Sequence, residues 1–198
     1  MICRPANTIL TPSSTGTVQH ITSSTDDYYN VPGSIGIVNQ LVFGVTQHFR
    51  GYALFDIPTG LGTADSVVLH FATSQLFSPG TTLRVSQVTP FGASPDLAAL
   101  FTDLGDGDVY ASVVLNGLFG DTPAYSLTLS STALSNLNAA HGDVFALGFA
   151  DDTLRGVLVN HVTLEVSTAV PEPASAWLVL IGLATLTLRH RFAARQSI

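Results

Sequence analysis

The chain has 198 residues, only 11% of them charged, and a formal net charge of −7. Ordinary soluble proteins carry about 25% charged residues. The lone Cys3 excludes a disulfide framework and a C-x-x-C metal or redox pair, and residues 1–171 hold four arginines against thirteen acids, a net of about −9, which excludes a basic footprint for nucleic acid.

Residues 1–25, rich in Thr and Ser, read as an extended leader. Their opening, MICRPANTILTPSSTGTVQH, lacks the basic start, the apolar stretch of roughly 7 to 15 residues and the small-residue site of a signal peptide. Either the true start lies upstream of Met1 or the chain is not exported; the character of the C-terminal tail, below, favours the first.

Residues 26–168 carry the pattern of a β domain. From His48 to Ile57, Phe49, Gly51, Ala53, Phe55 and Ile57 alternate with Arg50, Tyr52, Leu54 and Asp56, and Pro58-Thr59-Gly60 supplies turn chemistry. Further strands are predicted at Ser66–Thr73, Thr82–Val88, Asp108–Leu115, Ala124–Ser130, Val144–Ala150 and Val157–Val166. Seven short strands separated by Gly, Pro, Asp and Ser clusters predict a mainly β, antiparallel, jelly-roll-like sandwich. Two helical turns interrupt them: Leu97–Phe101 opens behind Ser94-Pro95-Asp96, and Ser131-Thr132 precedes Ala133–Asn138.

Few residues suggest chemistry. Asp103, Asp106 and Asp108 stand on a stretch read as a Gly-flexible loop, and a hard cation such as Ca²⁺ takes several oxygens. The twelfth position of an EF-hand loop would be Val114 or Gly117 rather than a carboxylate, so a solvated turn is the favoured reading and no metal or other cofactor is expected. Arg50, mid-strand, needs a partner, for which Asp151 and Asp152 are candidates. The histidines at 20, 48, 70, 141, 161 and 190 show no metal-binding spacing. No Gly-x-Ser-x-Gly elbow occurs, and Glu165 is the only glutamate before residue 172, which excludes a glutamate pair for glycoside hydrolysis in that region. Tyr28, Tyr29, Tyr52, Tyr110 and Tyr125 offer rings for sugar stacking, although sheet packing accounts for them more simply.

The tail, residues 169–198, is the most specific segment. Val170-Pro171-Glu172-Pro173 breaks the chain, Ala176–Leu188 is an uncharged apolar run, and Arg189, Arg191 and Arg195 close it. Thirteen residues of helix span only about 20 Å, short of a full crossing, but snorkelling arginines and local thinning extend the reach. The same length suits a buried core helix; the terminal position, the preceding break and the absence of a polar face favour a single transmembrane helix with a cytoplasmic C terminus.

These three ordered elements, VPEPAS, the apolar run and the Arg cluster, resemble the PEP-CTERM sorting signal of Gram-negative bacteria. The resemblance implies exosortase as processing partner, cleavage near Pro171–Pro173, an inner-membrane-anchored precursor and delivery to the cell envelope or outside. The segments HFRGYALFDIP, FTDLGDGDVYASVVL, STALSNLNAA and DVFALGF resemble the DNRLRE-type β-sandwich ectodomains of bacterial surface proteins, which implies architecture and location and no enzymatic activity. Two functions follow: a non-catalytic envelope or extracellular-matrix protein, or a secreted protein that binds or acts on extracellular polysaccharide.

Overall fold

In a computed structural model the described residues are 6–23, 26–75, 80–116, 120–151 and 156–168. The sorting motif Pro171–Pro173, the apolar run Ala176–Leu188 and the arginines at 189, 191 and 195 lie outside them. No helix among the described residues is long and apolar enough to cross a membrane.

Eleven strands and two helices follow in chain order: β1 Ala6–Leu10, β2 Ser14–Thr22, β3 Asp27–Pro32, β4 Ile35–Val42, β5 Val45–Asp56, β6 Ala64–Gln75, β7 Thr81–Gln87, α1 Leu97–Asp106, β8 Val109–Leu115, β9 Ala124–Thr128, α2 Ser131–Ala139, β10 Val144–Ala150 and β11 Gly156–Thr168. The seven predicted strands are β5 to β11. Residues 6–10 and 14–22, read as leader, are strands of the sheet instead: β1 pairs with β11, and β2 lies between β3 and β5. In β2 the β-branched residues Thr15, Thr17, Val18, Ile21 and Thr22 favour a pleated strand, and Val18 is completely buried.

Hydrogen bonds run through the order β8-β7-β10-β5-β4-β11-β6-β9, and the pairings among β2 to β11 are antiparallel. One edge of β5 pairs with β2 throughout, while the other pairs with β4 over Val45–Phe49 and with β10 over Gly51–Asp56. β5 therefore passes from one half of the sheet to the other. Phe55, Leu69, Leu83, Leu115, Leu147, Phe149, Leu164 and Val166, all fully buried, belong to one core. Strands as far apart in the pairing order as β8 and β6 can share that core only if the sheet folds back over itself. α2 closes the core with Ala133 and Leu137, and Asn138 clamps Ala64, accepting from its N–H at 2.8 Å and donating to its carbonyl at 3.1 Å.

α1 covers the outer face of β2, β5, β7 and β10 and builds a second core from Val18, Tyr52, Val88, Leu100, Phe101, Leu104 and Ala146. The helix starts because Asp96 Oδ1 accepts from Ala98 N (3.0 Å) and Ala99 N (3.2 Å). It continues to Asp106, well beyond the predicted Phe101. Its C-terminal half has no basic residue of its own in the last turn, and the sheet supplies the missing donors. Arg50 Nη1 donates to Phe101 O at 2.7 Å, and Arg50 Cζ lies 4.4 Å from the centroid of the Phe101 ring. Ser86 Oγ donates to Leu104 O at 3.2 Å, and Arg84 Nη2 to Gly105 O at 3.3 Å. A cation at this end also opposes the helix dipole. The Phe101 and Thr102 carbonyls and the Phe101 ring are partners of the guanidinium for which Asp151 and Asp152 were the candidates; residue 152 lies outside the described residues. Gly105 completes the seat, for a Cβ there would collide with Cζ and Nη1 of Arg50.

β4 and β5 meet in a two-residue turn, Val42 facing Val45, with Phe43 at φ 50° and Gly44 at φ 81°. Two positive φ angles match a type I′ turn, which favours Asn-Gly; here a Phe with full solvent exposure holds the first position, beside Leu41 at 68% exposure.

Two predictions follow from these contacts. Arg50→Ala should lower stability by about 2 kcal/mol, and Gly105→Ala alone by roughly 1–3 kcal/mol through the clash. In the Arg50→Ala background the sign of Gly105→Ala should reverse, because alanine then gains about 1 kcal/mol of helix propensity over glycine; denaturant melts of the four proteins test this, and additive losses would refute the seat. Phe43→Asn should raise stability by about 1 kcal/mol by relieving the left-handed strain, read as a melting temperature a few degrees higher.

Candidate functional site

Three arrangements of side chains concentrate polar or aromatic chemistry. The first is a row across the outer face of β3, β2, β5 and β4, where the register sets Tyr28 beside His20, His20 beside His48 and His48 beside Asn39. Tyr28 stacks on His20 at 4.5 Å with the rings 5° from parallel, and Phe101 of α1 meets both edge-on. His48 Nδ1 lies 2.8 Å from Asn39 Oδ1. Burial, and after it the neighbouring His20 and Arg50, holds the His48 imidazole below its ordinary value of 6.5. Phe101 packs on Tyr28 and His20 and lies under Arg50, so the row ties α1 to the sheet.

The second arrangement crosses the outer face of β1, β11, β6 and β9. Ser126 Oγ lies 2.8 Å from His70 Nδ1, and His70 Nε2 lies 2.9 Å from Glu165 Oε2. Glu165 Oε1 accepts from Asn7 Nδ2 at 2.6 Å, and Asn7 Oδ1 accepts from Ser167 Oγ at 3.0 Å. With the Nε2 proton donated to the carboxylate, Nδ1 is free to accept the serine hydroxyl, giving the order hydroxyl, imidazole, carboxylate of a nucleophilic triad. Sequence reasoning selected no such set, because its members stand 56 and 95 residues from His70; only the strand register brings them together. Acyl transfer also needs two converging donors for the oxyanion. Ser126 lies in mid-strand, where successive N–H groups point to opposite edges, and cannot supply that pair. The network is a cross-strand polar ladder tying β1 to β9.

The third arrangement is a cleft of about 340 Å³ between the segment after β7 and α1, lined by Thr89, Pro90, Phe91, Pro95, Asp96, Ala99, Leu100 and Asp103. Phe91 is fixed edge-to-face on Tyr52 at 5.0 Å. Asp103 Oδ2 accepts from Thr89 N at 2.7 Å, which fastens the segment to the helix.

The acidic stretch Asp103–Asp108 is not the turn read from the sequence. Asp103 and Asp106 belong to α1 rather than to a loop, Asp108 lies beyond its C-terminal end, and they form no group able to hold a metal ion. Gly105 and Gly107, which suggested flexibility, serve close packing instead. Among the tyrosines, Tyr52 and Tyr110 are buried, Tyr125 stacks on Phe71 and Tyr28 on His20; Tyr29, 49% exposed, stands apart from that packing.

No protein-family model matches the chain, and no curated protein does. Among solved structures it is similar to a xylan-binding module CBM15 (14% identity, 84% of this chain and 100% of that one, TM-score 0.45). It is also similar to the C-terminal CBM6 of LamC, a laminarinase from Zobellia galactanivorans (7% identity, 80% and 98%, TM-score 0.38). A third similarity is to the K3 cleaved adhesin domain of Lys-gingipain from Porphyromonas gingivalis (9% identity, 66% and 73%, TM-score 0.38). These likenesses are distant, and no ligand is transferred from them.

The depressed pKa of His48 gives a pH dependence of known sign. As the pH falls below 6.5 the unfolded chain takes up the proton first, so stability declines with acidification until the folded state is protonated too. His48→Gln should flatten the stability profile between about pH 7 and pH 5; a profile as steep as that of the parent would assign the slope to other groups.

Proposed function

We propose that this chain is a non-catalytic, exported protein of the cell envelope or extracellular matrix, carried by a C-terminal sorting signal that exosortase recognises and cleaves. One observation carries this reading: the ordered tail of Pro171-Glu172-Pro173, an uncharged run and closing arginines begins directly after the compact unit Asn7–Thr168. The last strand, β11, ends at Thr168, so cleavage near residues 171–173 leaves every described strand intact. The precursor is anchored through Ala176–Leu188 in the inner membrane, with a jelly-roll-like, DNRLRE-type sandwich outside.

A second reading, binding of extracellular polysaccharide, is favoured by the cleft beside α1, where apolar walls meet two carboxylates. It is compatible with the first, since a matrix protein holds on to a matrix.

Expression in the native host, with and without its exosortase, tests the principal reading by intact mass and fractionation. With the protease the body should lose the residues beyond the motif and leave the inner membrane; without it, or with Glu172→Ala, the full-length precursor should accumulate there. A mass and location indifferent to exosortase would end this reading.

A further inference from the structure

We infer that the cleft between the segment after β7 and α1 is a subsite for one neutral pyranose unit of a polysaccharide chain. This rests on the polysaccharide-binding reading and locates it. The volume of about 340 Å³ falls at the lower end of the range of ligand clefts, which are apolar with a few placed polar groups. Pro90, Phe91, Pro95 and Leu100 supply the apolar surface. The Phe91 ring is already held by Tyr52, so little side-chain freedom is lost when a ligand packs against it.

The polar groups specify what the ligand must carry. Asp96 spends Oδ1 on capping α1, and Asp103 spends Oδ2 on Thr89 N. The second oxygen of each carboxylate accepts from no group among the described residues. Both carboxylates are acceptors only, so the ligand has to donate. No basic side chain lines the cleft. Asp96 caps the start of α1 and Asp103 lies two turns into it, so the two acceptors address different parts of a ligand rather than one ammonium centre. A pyranose combines the required parts: a C–H face for Phe91 and the prolines, and an O–H edge for the carboxylates and Thr89.

Calorimetric titration of the full chain with xylohexaose, cellohexaose and laminarihexaose tests the assignment. At least one should bind, with an affinity little changed between low and high salt. Asp103→Asn, which keeps an oxygen for Thr89 N, and Asp96→Asn, which keeps the cap, should each weaken binding at least tenfold with melting unchanged; Phe91→Ala should weaken binding as much while lowering the melting temperature, because the ring also packs on Tyr52. Sugar binding that all three variants retain would overturn the subsite and leave the polysaccharide reading standing. Absence of binding to all three sugars would overturn both. Salt-sensitive binding of spermidine in their place would assign the cleft to an organic cation and overturn the inference.

Discussion

Arg50 stands in mid-strand on the outer face of β5, where a charge needs several hydrogen-bond acceptors to be tolerated, and the C-terminal half of α1 provides them. The contact serves both elements. The helix ends without a basic residue in its last turn, and the sheet lends it a cation; the strand carries a guanidinium, and the helix lends it carbonyl oxygens and the face of Phe101. Gly105 permits the approach. With α1 seated, Tyr52 and Leu104 are buried, the C-terminal half of β5 is covered on both faces, and the segment after β7 is held against the helix through Asp103. The cleft exists only because of that arrangement.

Much of the polar chemistry is used to hold the molecule together. His70, Ser126, Glu165, Asn7 and Ser167 form a chain of hydrogen bonds across four strands, and Asn138 holds the backbone of Ala64. In a chain that is 11% charged, such cross-strand bonds, with Glu165 as the shared acceptor, do much of the work that ion pairs do elsewhere. A hydroxyl, an imidazole and a carboxylate in line do not by themselves indicate catalysis, since acyl transfer also needs convergent donors for the oxyanion.

The strands from β5 onward were legible because apolar residues repeat at two-residue intervals between turn signals, and the starts of both helices were legible from Ser94-Pro95-Asp96 and Ser131-Thr132, although Ser130, which caps the second, read as strand. The first four strands were not. Thr- and Ser-rich sequence such as Ser14–Thr22 carries little apolar periodicity, and its place in the sheet depends on partners up to 40 residues away, as Ser14 opposite Leu54 illustrates. The stretch Asp103–Asp108 was misread for a different reason: glycines that admit a guanidinium at 105 and a carbonyl at 107 look in sequence like glycines that loosen a loop. Arg50 was legible as a residue in need of a partner. Helix backbone is among its partners, which no pattern of side-chain charges reveals.

The hairpin of β4 and β5 gives the domain a polarity. β4 runs antiparallel to β11, with Gly156 beside Val38 and Val159 beside Ile35, so the turn at Phe43 and the end of β11 at Thr168 lie at opposite extremities of the sheet. The turn carries a fully exposed Phe beside a largely exposed Leu, and residues 36–49 contain no charge at all. Whatever reaches that end of the sheet meets an uncharged, apolar point.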